Sequence, residues 1–399
     1  MRISTLAFNQ SAIDSIDARS SELSKIQTQV ASGKSIQSPA DDPAAMVHIL
    51  QLQQALTQST QYGTNADAAT TRLSYEDQSL TDTTNLLQHI RDLTVQANSG
   101  TQDPTSRAAI ATELDQNVQQ LMDIANRQDA NGQYLFSGLT TQTQPFSRSG
   151  TGAVGYSGND GTRQVQISQT QRVQDGDSGA SIFMNVPAGN GTFTTAATAT
   201  NTGTGSIGAT AVTNPSAWVS DTYTISFTSA TAYQVTNSAN FVVGAGTFTP
   251  NGSITFNGAS VTIQGQPAAG DTFTAAPAGT QDMFTTLDNL RTAVRAQINT
   301  PADSAQYASN MSIALNQIDQ ALNHVADVQA GVGARLNTID TAKATGQTEQ
   351  VNLQTSLSQL QDLDYASALG KLTLEQTGLQ AAEASYSKIA QLSLFNYIK

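Results

Sequence analysis

Two long segments of this chain each have the sequence pattern of one uninterrupted helix, and they limit the possible folds more than any other feature. The first runs from about Pro43 to Ser99 and the second from about Ala302 to Asp362. At 1.5 Å per residue, each helix would be roughly 85 Å long. Isolated helices are marginal in water and gain most of their stability by packing. We therefore expect the two helices to lie against each other or against a neighbouring molecule.

Capping signals predict where the helices begin. Ser38-Pro39-Ala40-Asp41 fits a capping box with proline at the first helical position, and Asp42-Pro43 offers a second start. Asp103-Pro104 and Thr300-Pro301-Ala302-Asp303 repeat the pattern. Helix capping therefore explains the pair Asp41-Asp42 better than acid/base catalysis or calcium binding does.

The composition changes sharply at both borders of a central segment. From about Pro145 to Gly279 the chain is rich in Thr, Gly, Ser and Val and contains no Lys, Glu or His, whereas both flanks are helical in character. Three consecutive domains would explain this, but we favour a helical body built from both chain ends with a β-rich insertion. The predicted fold class is α+β. Its predicted parts are residues 1–42 with 363–399, residues 43–144 with 281–362, and the insertion 145–280.

Strand signals occur only inside the insertion. Ser253–Ile263 has alternating arms around Asn257-Gly258, which predicts a hairpin. Tyr223–Phe227 alternates in the same way. The stretch from about Ala188 to Thr213 has low complexity and predicts a mobile loop or a weak strand pair.

The overall composition excludes several classes of protein. A net charge of −13 without a basic run argues against a nucleic-acid partner, because such binding depends on clustered cations. The chain has no Cys, so disulfides and Cys-ligated zinc are excluded. No apolar run reaches the roughly 18 residues of a membrane span, and Met1–Phe8 lacks the apolar core of a cleavable signal peptide. We expect no membrane partner, and export from the cell would use another route.

Candidate chemical motifs are few and weak. The pattern G-x-G-x-x-G occurs twice without a following helix, so we interpret both matches as loops: Gly150-Gly152-Gly155 and Gly203-Gly205-Gly208. The three histidines lie in helical patterns without metal-ligand spacing: His48, His89 and His324. We predict no enzyme, no cofactor and no metal site.

Apolar residues recur at helical spacing at both ends of the chain. The N-terminal set is Ile13, Ile16, Leu23, Ile26 and Val30. The C-terminal set is Leu369, Leu372, Leu379, Tyr386, Ile389, Leu392 and Phe395. An amphipathic helix that covers a core would show the same stripes. Both stripes lie outside the long helices, however, so we predict that the termini pair as an antiparallel coiled coil and then contact other subunits.

Four segments resemble the bacterial flagellin family. Ala31–Ala45 is similar to the N-terminal signature of the family, and Arg91–Thr101 to a second family segment. Gly331–Asn337 and Leu363–Ala366 resemble the C-terminal motifs. The last of these accounts for the pair Asp362 and Asp364 better than catalysis does.

Further segments resemble the subgroup of this family that joins the flagellar hook to the filament. They are Met1–Thr5, Asn131–Gly138 with Pro145-Phe146, and Ser387–Ile398. Ser137 stands where the family often has a second glycine. The resemblance covers about residues 1–146 and 281–399 and does not extend to the middle of the chain.

The resemblance implies an elongated flagellin-like fold, with the terminal helices innermost, the long helices next and the insertion outermost. It implies a structural protein of the flagellum, located outside the cell after type III export. The implied partners are the hook-side junction protein, flagellin and further copies of the chain. An export chaperone would bind the C-terminal end, and the free termini would order on assembly.

Two other functions stay open at this point. A divergent flagellin would build the filament itself and would differ in copy number. A surface adhesin or glycan-binding module would use the insertion, with Trp218 stacking on a sugar, although a lone Trp in a β-domain is more often part of the core. An enzyme is the weakest alternative, since no catalytic cluster is found.

Overall fold

The computed structural model describes residues 2–100, 102–150 and 152–395, without the side chains of residues 2–6, 8 and 389–395. In this part of the chain the helices are α1 (Arg2–Ser32), α2 (Pro43–Ala97), α3 (Pro104–Ala125), α4 (Met283–Val294), α5 (Pro301–Gln361) and α6 (Tyr365–Phe395). The strands are β1 (Phe146–Arg148), β2 (Val154–Tyr156), β3 (Gln164–Gln166), β4 (Arg172–Gln174), β5 (Val186–Pro187), β6 (Phe193–Ala197), β7 (Ser206–Val212), β8 (Tyr223–Ser229), β9 (Ala232–Thr236), β10 (Val242–Thr247), β11 (Ser253–Phe256), β12 (Ala259–Gln264), β13 (Thr272–Pro277) and β14 (Thr280–Gln281). Helices at both ends therefore flank a β-rich middle, as predicted.

The described chain divides into two compact units. One comprises residues 1–64 and 342–399, and the other comprises residues 65–341. Both divisions fall inside the long helices α2 and α5. The division into three parts at residues 42, 144, 280 and 362 stays a prediction.

The helices begin at the capping signals, with one exception. Asp42 Oδ1 accepts hydrogen bonds from the backbone N–H groups of Ala44 and Ala45, at 3.0 and 2.9 Å, so α2 begins at Pro43. The alternative start at Ser38 was wrong, because residues 38–41 form a turn. Thr300 and Asp303 form a reciprocal capping box at the start of α5, with bonds of 2.9 and 3.1 Å.

The two long helices lie against each other in the unit formed by residues 65–341, as expected. Arg91 Nε donates to Asp319 Oδ1 at 2.7 Å, and Gln329 Nε2 donates to Asp77 Oδ1 at 3.0 Å. Arg91 lies after Asp77 in α2, whereas its partner Asp319 lies before Gln329 in α5. The two helices are therefore antiparallel. Apolar residues of α2 and α3 are fully buried in the core of this unit: Leu73, Leu80, Ile90, Leu114, Val118 and Leu121.

The strands of the insertion pair only in antiparallel fashion within the described residues. A five-stranded sheet has the order β10-β9-β8-β13-β6, a three-stranded sheet has the order β11-β12-β7, and three further sheets have two strands each. The predicted hairpin is confirmed, with Ser253 opposite Thr262 and Phe256 opposite Ala259. Asn257 and Gly258 have φ values of 41° and 77°, which explains the Asn-Gly sequence of the turn.

The low-complexity stretch from Ala188 to Thr213 differs from the prediction. It contains β6 and β7, but the two strands do not pair with each other. Phe193 of β6 lies opposite Pro277 of β13, and Ile207 of β7 lies opposite Ile263 of β12. Strands contributed by a distant part of the chain therefore order this stretch.

An aromatic and aliphatic core fills the space between the two larger sheets. Its largest members are Phe193, Tyr223, Phe227, Phe248, Phe256 and Phe273. Trp218 is half-buried, and its ring stacks on Phe193 with the ring centroids 5.3 Å apart. The core also contacts Ile313 of α5, and Ser309 Oγ accepts a hydrogen bond from the backbone N–H of Ile207 at 2.9 Å. The insertion is thus anchored on α5.

Candidate assembly surfaces

The terminal helices α1 and α6 lie side by side and antiparallel. Arg19 Nη1 forms an ion pair with Glu375 Oε2 at 3.1 Å. At the other end of the pair, the backbone N–H of Leu363 donates to Gly33 O at 2.9 Å. Continuing this register along the helices places Leu23 level with Leu372 and Ile16 level with Leu379.

The less exposed residues of α1 follow one heptad stripe. Ile26 is buried, with 4% of its surface exposed. The half-buried members are Asn9, Ala12, Ile16, Arg19, Leu23 and Val30. They recur at alternating spacings of three and four residues, as a helix facing one partner requires. Ile13, from the predicted set, lies off this stripe and is exposed.

A matching stripe runs along α6. Ala368 is buried, and the half-buried residues that continue its heptad are Leu372, Glu375, Leu379, Ala382 and Tyr386. Leu369 lies off this stripe and is 49% exposed, and Leu374 is 68% exposed. The predicted residues Ile389, Leu392 and Phe395 lie outside the residues whose side chains the structure describes. Among the described residues, the apolar residues predicted at the two chain ends therefore fall into two groups. One group lies on the half-buried stripes where α1 and α6 meet, and the other is exposed.

Backbone hydrogen bonds connect the two turns beside the terminal pair. Ser35 N–H donates to Gln361 O at 2.7 Å, and the Ser35 hydroxyl donates to the same oxygen at 3.1 Å. Gly33 has a φ of +71°, which an L side chain rarely adopts. A Cβ on Gly33 would also lie 2.9 Å from Tyr365 Oη. These constraints explain why a glycine occupies this position in the segment that resembles the flagellin signature.

We expect Gly33→Ala to weaken the connection between the turns by about 1–2 kcal/mol, because the new Cβ is strained at positive φ. Adding Tyr365→Phe removes the oxygen that the Cβ would meet, so the double variant should recover the steric part of the loss. Hydrogen exchange of the Ser35 and Leu363 amides measures the effect. Equal exchange in Gly33→Ala and the unaltered protein would contradict this account.

The paired carboxylates next to this turn have different roles. Asp41 Oδ2 accepts from the backbone N–H groups of Ser38 and Gln37, and Lys25 Nζ lies 3.1 Å from Asp41 Oδ1. The bond from Ser38, followed by those from Lys25 and Gln37, lowers the pKa of Asp41 to about 2. Asp42 caps α2 as described above. The prediction of helix capping is confirmed for Asp42, whereas Asp41 accepts hydrogen bonds from the turn that precedes α2.

The acidic pair in the C-terminal half has the same structural role. Asp364 Oδ1 accepts a hydrogen bond from the backbone N–H of Ala366 at 3.0 Å and caps α6. Asp362 forms an isolated antiparallel bridge with Lys34. Both residues therefore join and cap backbone segments of this unit.

Sequence reasoning missed a buried charge network in the unit formed by residues 65–341. Glu76 of α2 is 1% exposed, and its Oε1 accepts a hydrogen bond from the backbone N–H of Asp177 at 3.2 Å. The Asp177 carboxylate forms an ion pair with the Arg335 guanidinium of α5. Burial, and then the charge of Asp177, raise the pKa of Glu76 to about 8. A single Glu inside a helical pattern gave no signal of this contact.

Polar contacts in and around this network give a structural role to two of the segments that resemble the flagellin family. Arg335 belongs to Gly331–Asn337 and fastens α5 to the loop that carries Asp177. Arg72 Nη2 donates to Tyr134 O at 3.1 Å and to Leu135 O at 3.0 Å, both within the segment Asn131–Gly138. These motif residues therefore hold the helices to the base of the insertion.

The remaining candidate motifs have structural positions. Gly152 lies in the β1–β2 connection, and Gly205 comes directly before β7. His89 Nε2 lies 2.9 Å from Glu113 Oε1, and His324 Nε2 lies 2.7 Å from Ser181 O. Among the described residues, no group of three His, Asp or Glu side chains could hold a metal ion. No described helix has the length and hydropathy needed to cross a bilayer.

Comparison with known proteins identifies the family. The family model "Bacterial flagellin N-terminal helical region" matches residues 3–141, and "Bacterial flagellin C-terminal helical region" matches residues 315–398. The crystal structure of FlgL from Xanthomonas campestris is 33% identical with a TM-score of 0.69, over 77% of this chain and 99% of that chain. The chain belongs to the family of flagellar hook-associated protein 3, or FlgL. The resemblance found in the sequence is thereby confirmed.

Other members of the FlgL family match over similar lengths. Flagellar hook-associated protein 3 of Salmonella typhimurium is 24% identical over 396 residues, which is 99% of both chains. The flagellar junction protein FlgL from Legionella pneumophila is 29% identical with a TM-score of 0.72, over 79% of this chain and 100% of that chain. These relatives are structural proteins of the flagellum, and no catalytic family is indicated.

The middle of the chain has a match of its own. Residues 196–277 match the family model "Flagellar hook-associated protein 1, D2-like domain". This region contains both larger sheets except for the start of β6. The resemblance drawn from sequence motifs did not reach it, because its Thr- and Gly-rich strands carry no distinctive motif.

Proposed function

We propose that this chain joins the flagellar hook to the filament as a structural subunit that assembles by helix packing. The terminal pair α1–α6 carries the proposal. The half-buried stripe of each helix packs against the other helix of the pair. Ile13, Leu369 and Leu374 lie outside these stripes and remain exposed. Each large apolar side chain left in water forfeits roughly 1.5–3 kcal/mol relative to burial. Neighbouring subunits would recover this free energy by covering the open residues.

The predicted interface residues would have different roles in such a subunit. Ile16, Leu23, Ile26, Val30, Leu372, Leu379 and Tyr386 would hold α1 and α6 together and so build the surface. Ile13 and Leu369 would contact neighbours directly, and Leu374 joins them as a residue that the sequence pattern had not singled out. The partners would be the hook-side junction protein, flagellin and further copies of the chain.

The same exposed residues support a proposal about export. A chain with open apolar positions on α6 would need protection in the cytoplasm, which a chaperone bound to the C-terminal end would provide. Type III export without a cleavable signal peptide would then deliver the chain to the flagellum outside the cell.

The experiment that tests the proposed function is deletion of the gene in a motile host. Hooks without filaments, together with flagellin shed into the medium, are the expected result. Normal filaments on the deleted strain would contradict the proposal. Loss of filament protein both inside and outside the cell would instead support the alternative of a divergent flagellin.

The adhesin alternative gains no support from the position of Trp218, the residue on which it depended. Trp218 stacks on Phe193 and lies 5.6 Å from the ring centroid of Tyr223. An indole that covers the core of the insertion offers less surface to a sugar.

A further inference from the structure

The loop of residues 175–179, which follows β4, contacts both long helices. The backbone N–H of Asp177 donates to Glu76 Oε1 of α2 at 3.2 Å, and the Asp177 carboxylate forms an ion pair with Arg335 of α5. A Cβ on Gly176 would lie 3.7 Å from Glu76 Oε2, so the loop backbone packs directly on this side chain. Glu76 therefore lies at the contact that fastens the loop to α2.

The charged groups around this loop balance without Glu76. Three arginines pair with three aspartates: Arg72 with Asp129 at 3.3 Å, Arg163 with Asp175, and Arg335 with Asp177. Among the described residues, no cation forms an ion pair with Glu76. The cluster is therefore neutral when Glu76 is protonated, and it carries one uncompensated negative charge when Glu76 is ionised.

The position of Glu76 disfavours its ionised form. The residue is 1% exposed, and an ionised carboxylate in such a place requires a cation or water. The carboxylate of Asp177, which is paired with Arg335, adds repulsion. Burial, and then the charge of Asp177, accordingly raise the pKa of Glu76 to about 8. Once the loop leaves α2, water reaches Glu76 and the ionised form is favoured at neutral pH.

We propose that Glu76 is a proton-controlled latch, which holds the 175–179 loop on α2 when it is protonated and releases the loop when it is ionised. Opening of the loop lets the carboxyl group lose its proton, so the open state gains relative to the closed state as pH rises. The pKa of Glu76 lies at its ordinary 4.5 in the open state and at about 8 in the closed state, and the latch weakens throughout this interval. The loop is therefore held more firmly near pH 5 than above pH 8. This latch does not rest on the proposed junction function.

Hydrogen exchange of the full-length chain at several pH values tests the latch. Exchange of the Asp177 and Gly179 amides, corrected for the intrinsic effect of pH, gives the equilibrium constant for opening of the loop. Gly179 N–H donates to Phe136 O at 2.8 Å and so reports on the far end of the loop. Because opening releases one proton, this constant should rise about tenfold per pH unit between about pH 5.5 and 7.5 and level off above about pH 8. The Ile207 amide, which bonds to Ser309 Oγ elsewhere in the same unit, should show no such rise.

Glu76→Gln should remove the rise with pH, because the amide keeps the size of the side chain and does not ionise. Glu113→Gln is the matched control: it removes the same group from a position where the side chain is 46% exposed, and it should leave the rise unchanged. An opening constant that does not change with pH in the unaltered chain would overturn the latch, and so would a rise that persists in Glu76→Gln. An equal rise at Ile207 would also overturn it, since the whole unit would then open together with the loop. The first and last of these outcomes are measured on the unaltered chain, so the test does not depend on the folding of a variant.

Discussion

Replacing Leu369 and Leu374 by Asp is expected to abolish filament attachment in a strain that depends on this chain, while the isolated protein stays folded. Both side chains are open in the single chain, at 49% and 68% exposure, so the substitutions remove little internal packing. A carboxylate buried against an apolar neighbour costs several kcal/mol without a partner charge. That cost recurs in every subunit of the assembled ring or layer.

The matched control is Leu369→Met with Leu374→Met, which keeps apolar side chains of similar volume. This control should restore filaments to the deleted strain, and electron microscopy of hooks would show the difference. An immunoblot of the culture medium distinguishes failed attachment from failed export. Filaments of normal number on cells carrying the Asp variant would show that neighbours do not cover these residues.

Leu372→Asp provides a contrast within the same helix. Leu372 lies on the half-buried stripe that faces α1, so a charge there should separate the terminal helices in the isolated chain. Circular dichroism should record a loss of helix in Leu372→Asp and no such loss in the Leu369 and Leu374 variants. This difference distinguishes residues that hold α1 and α6 together from residues that would contact neighbouring subunits.

Features encoded by neighbouring residues were predictable from the sequence. The start of α2 at Pro43, the capping box at Thr300 and the turn at Asn257-Gly258 each depend on hydrogen bonds within four residues. Heptad spacing likewise indicated that Ile16, Leu23 and Val30 of α1 face one partner, although it also included Ile13, which lies off this stripe. Local rules suffice for such features because the interacting groups are close in the chain.

Features that depend on distant residues were not predictable. β6 and β7 formed strands only because β13 and β12 supply partners from much later in the chain. The exposure of Leu374 depends on the position of α1, which the pattern of α6 alone does not contain. Glu76 appeared to be one more polar residue of a long helix until the loop carrying Asp177 covered it.

Glu76→Gln is expected to stabilise the protein in alkaline solution and to leave its stability near pH 5 almost unchanged. Folding raises the pKa of Glu76 from 4.5 to about 8, so the folded chain holds this proton more tightly than the unfolded chain. Stability is therefore lost as pH rises from the lower value through the higher one. A glutamine amide cannot ionise and can donate to Asp177, so near pH 9 we expect a gain of about 2 kcal/mol or more.

Denaturant unfolding at pH 5, 7 and 9 measures this effect, with Asp77→Asn as the control. Asp77 is the next residue of α2 and is only half-buried. Neutralising it should not produce a gain that grows with pH. A pH profile of Glu76→Gln parallel to that of the unaltered protein would show that Glu76 does not take up a proton on folding.

Removing Arg335 from the network of Glu76 and Asp177 should lower the free energy of unfolding, by more than Glu76→Gln raises it. Asp177 is less than one-fifth exposed, and Arg335 is its ion-pair partner. Arg335→Met would leave Asp177 beside Glu76 without its ion-pair partner. Such a loss costs about 3–5 kcal/mol for a fully buried pair, and we expect the lower end of this range here because both side chains are partly exposed. The loss should increase with pH, because ionised Glu76 then repels Asp177. In the Glu76→Gln background the increase with pH should disappear, since only one of the two carboxylates remains to ionise. If Arg335→Met shows the same pH profile in both backgrounds, the two carboxylates are not coupled through this contact.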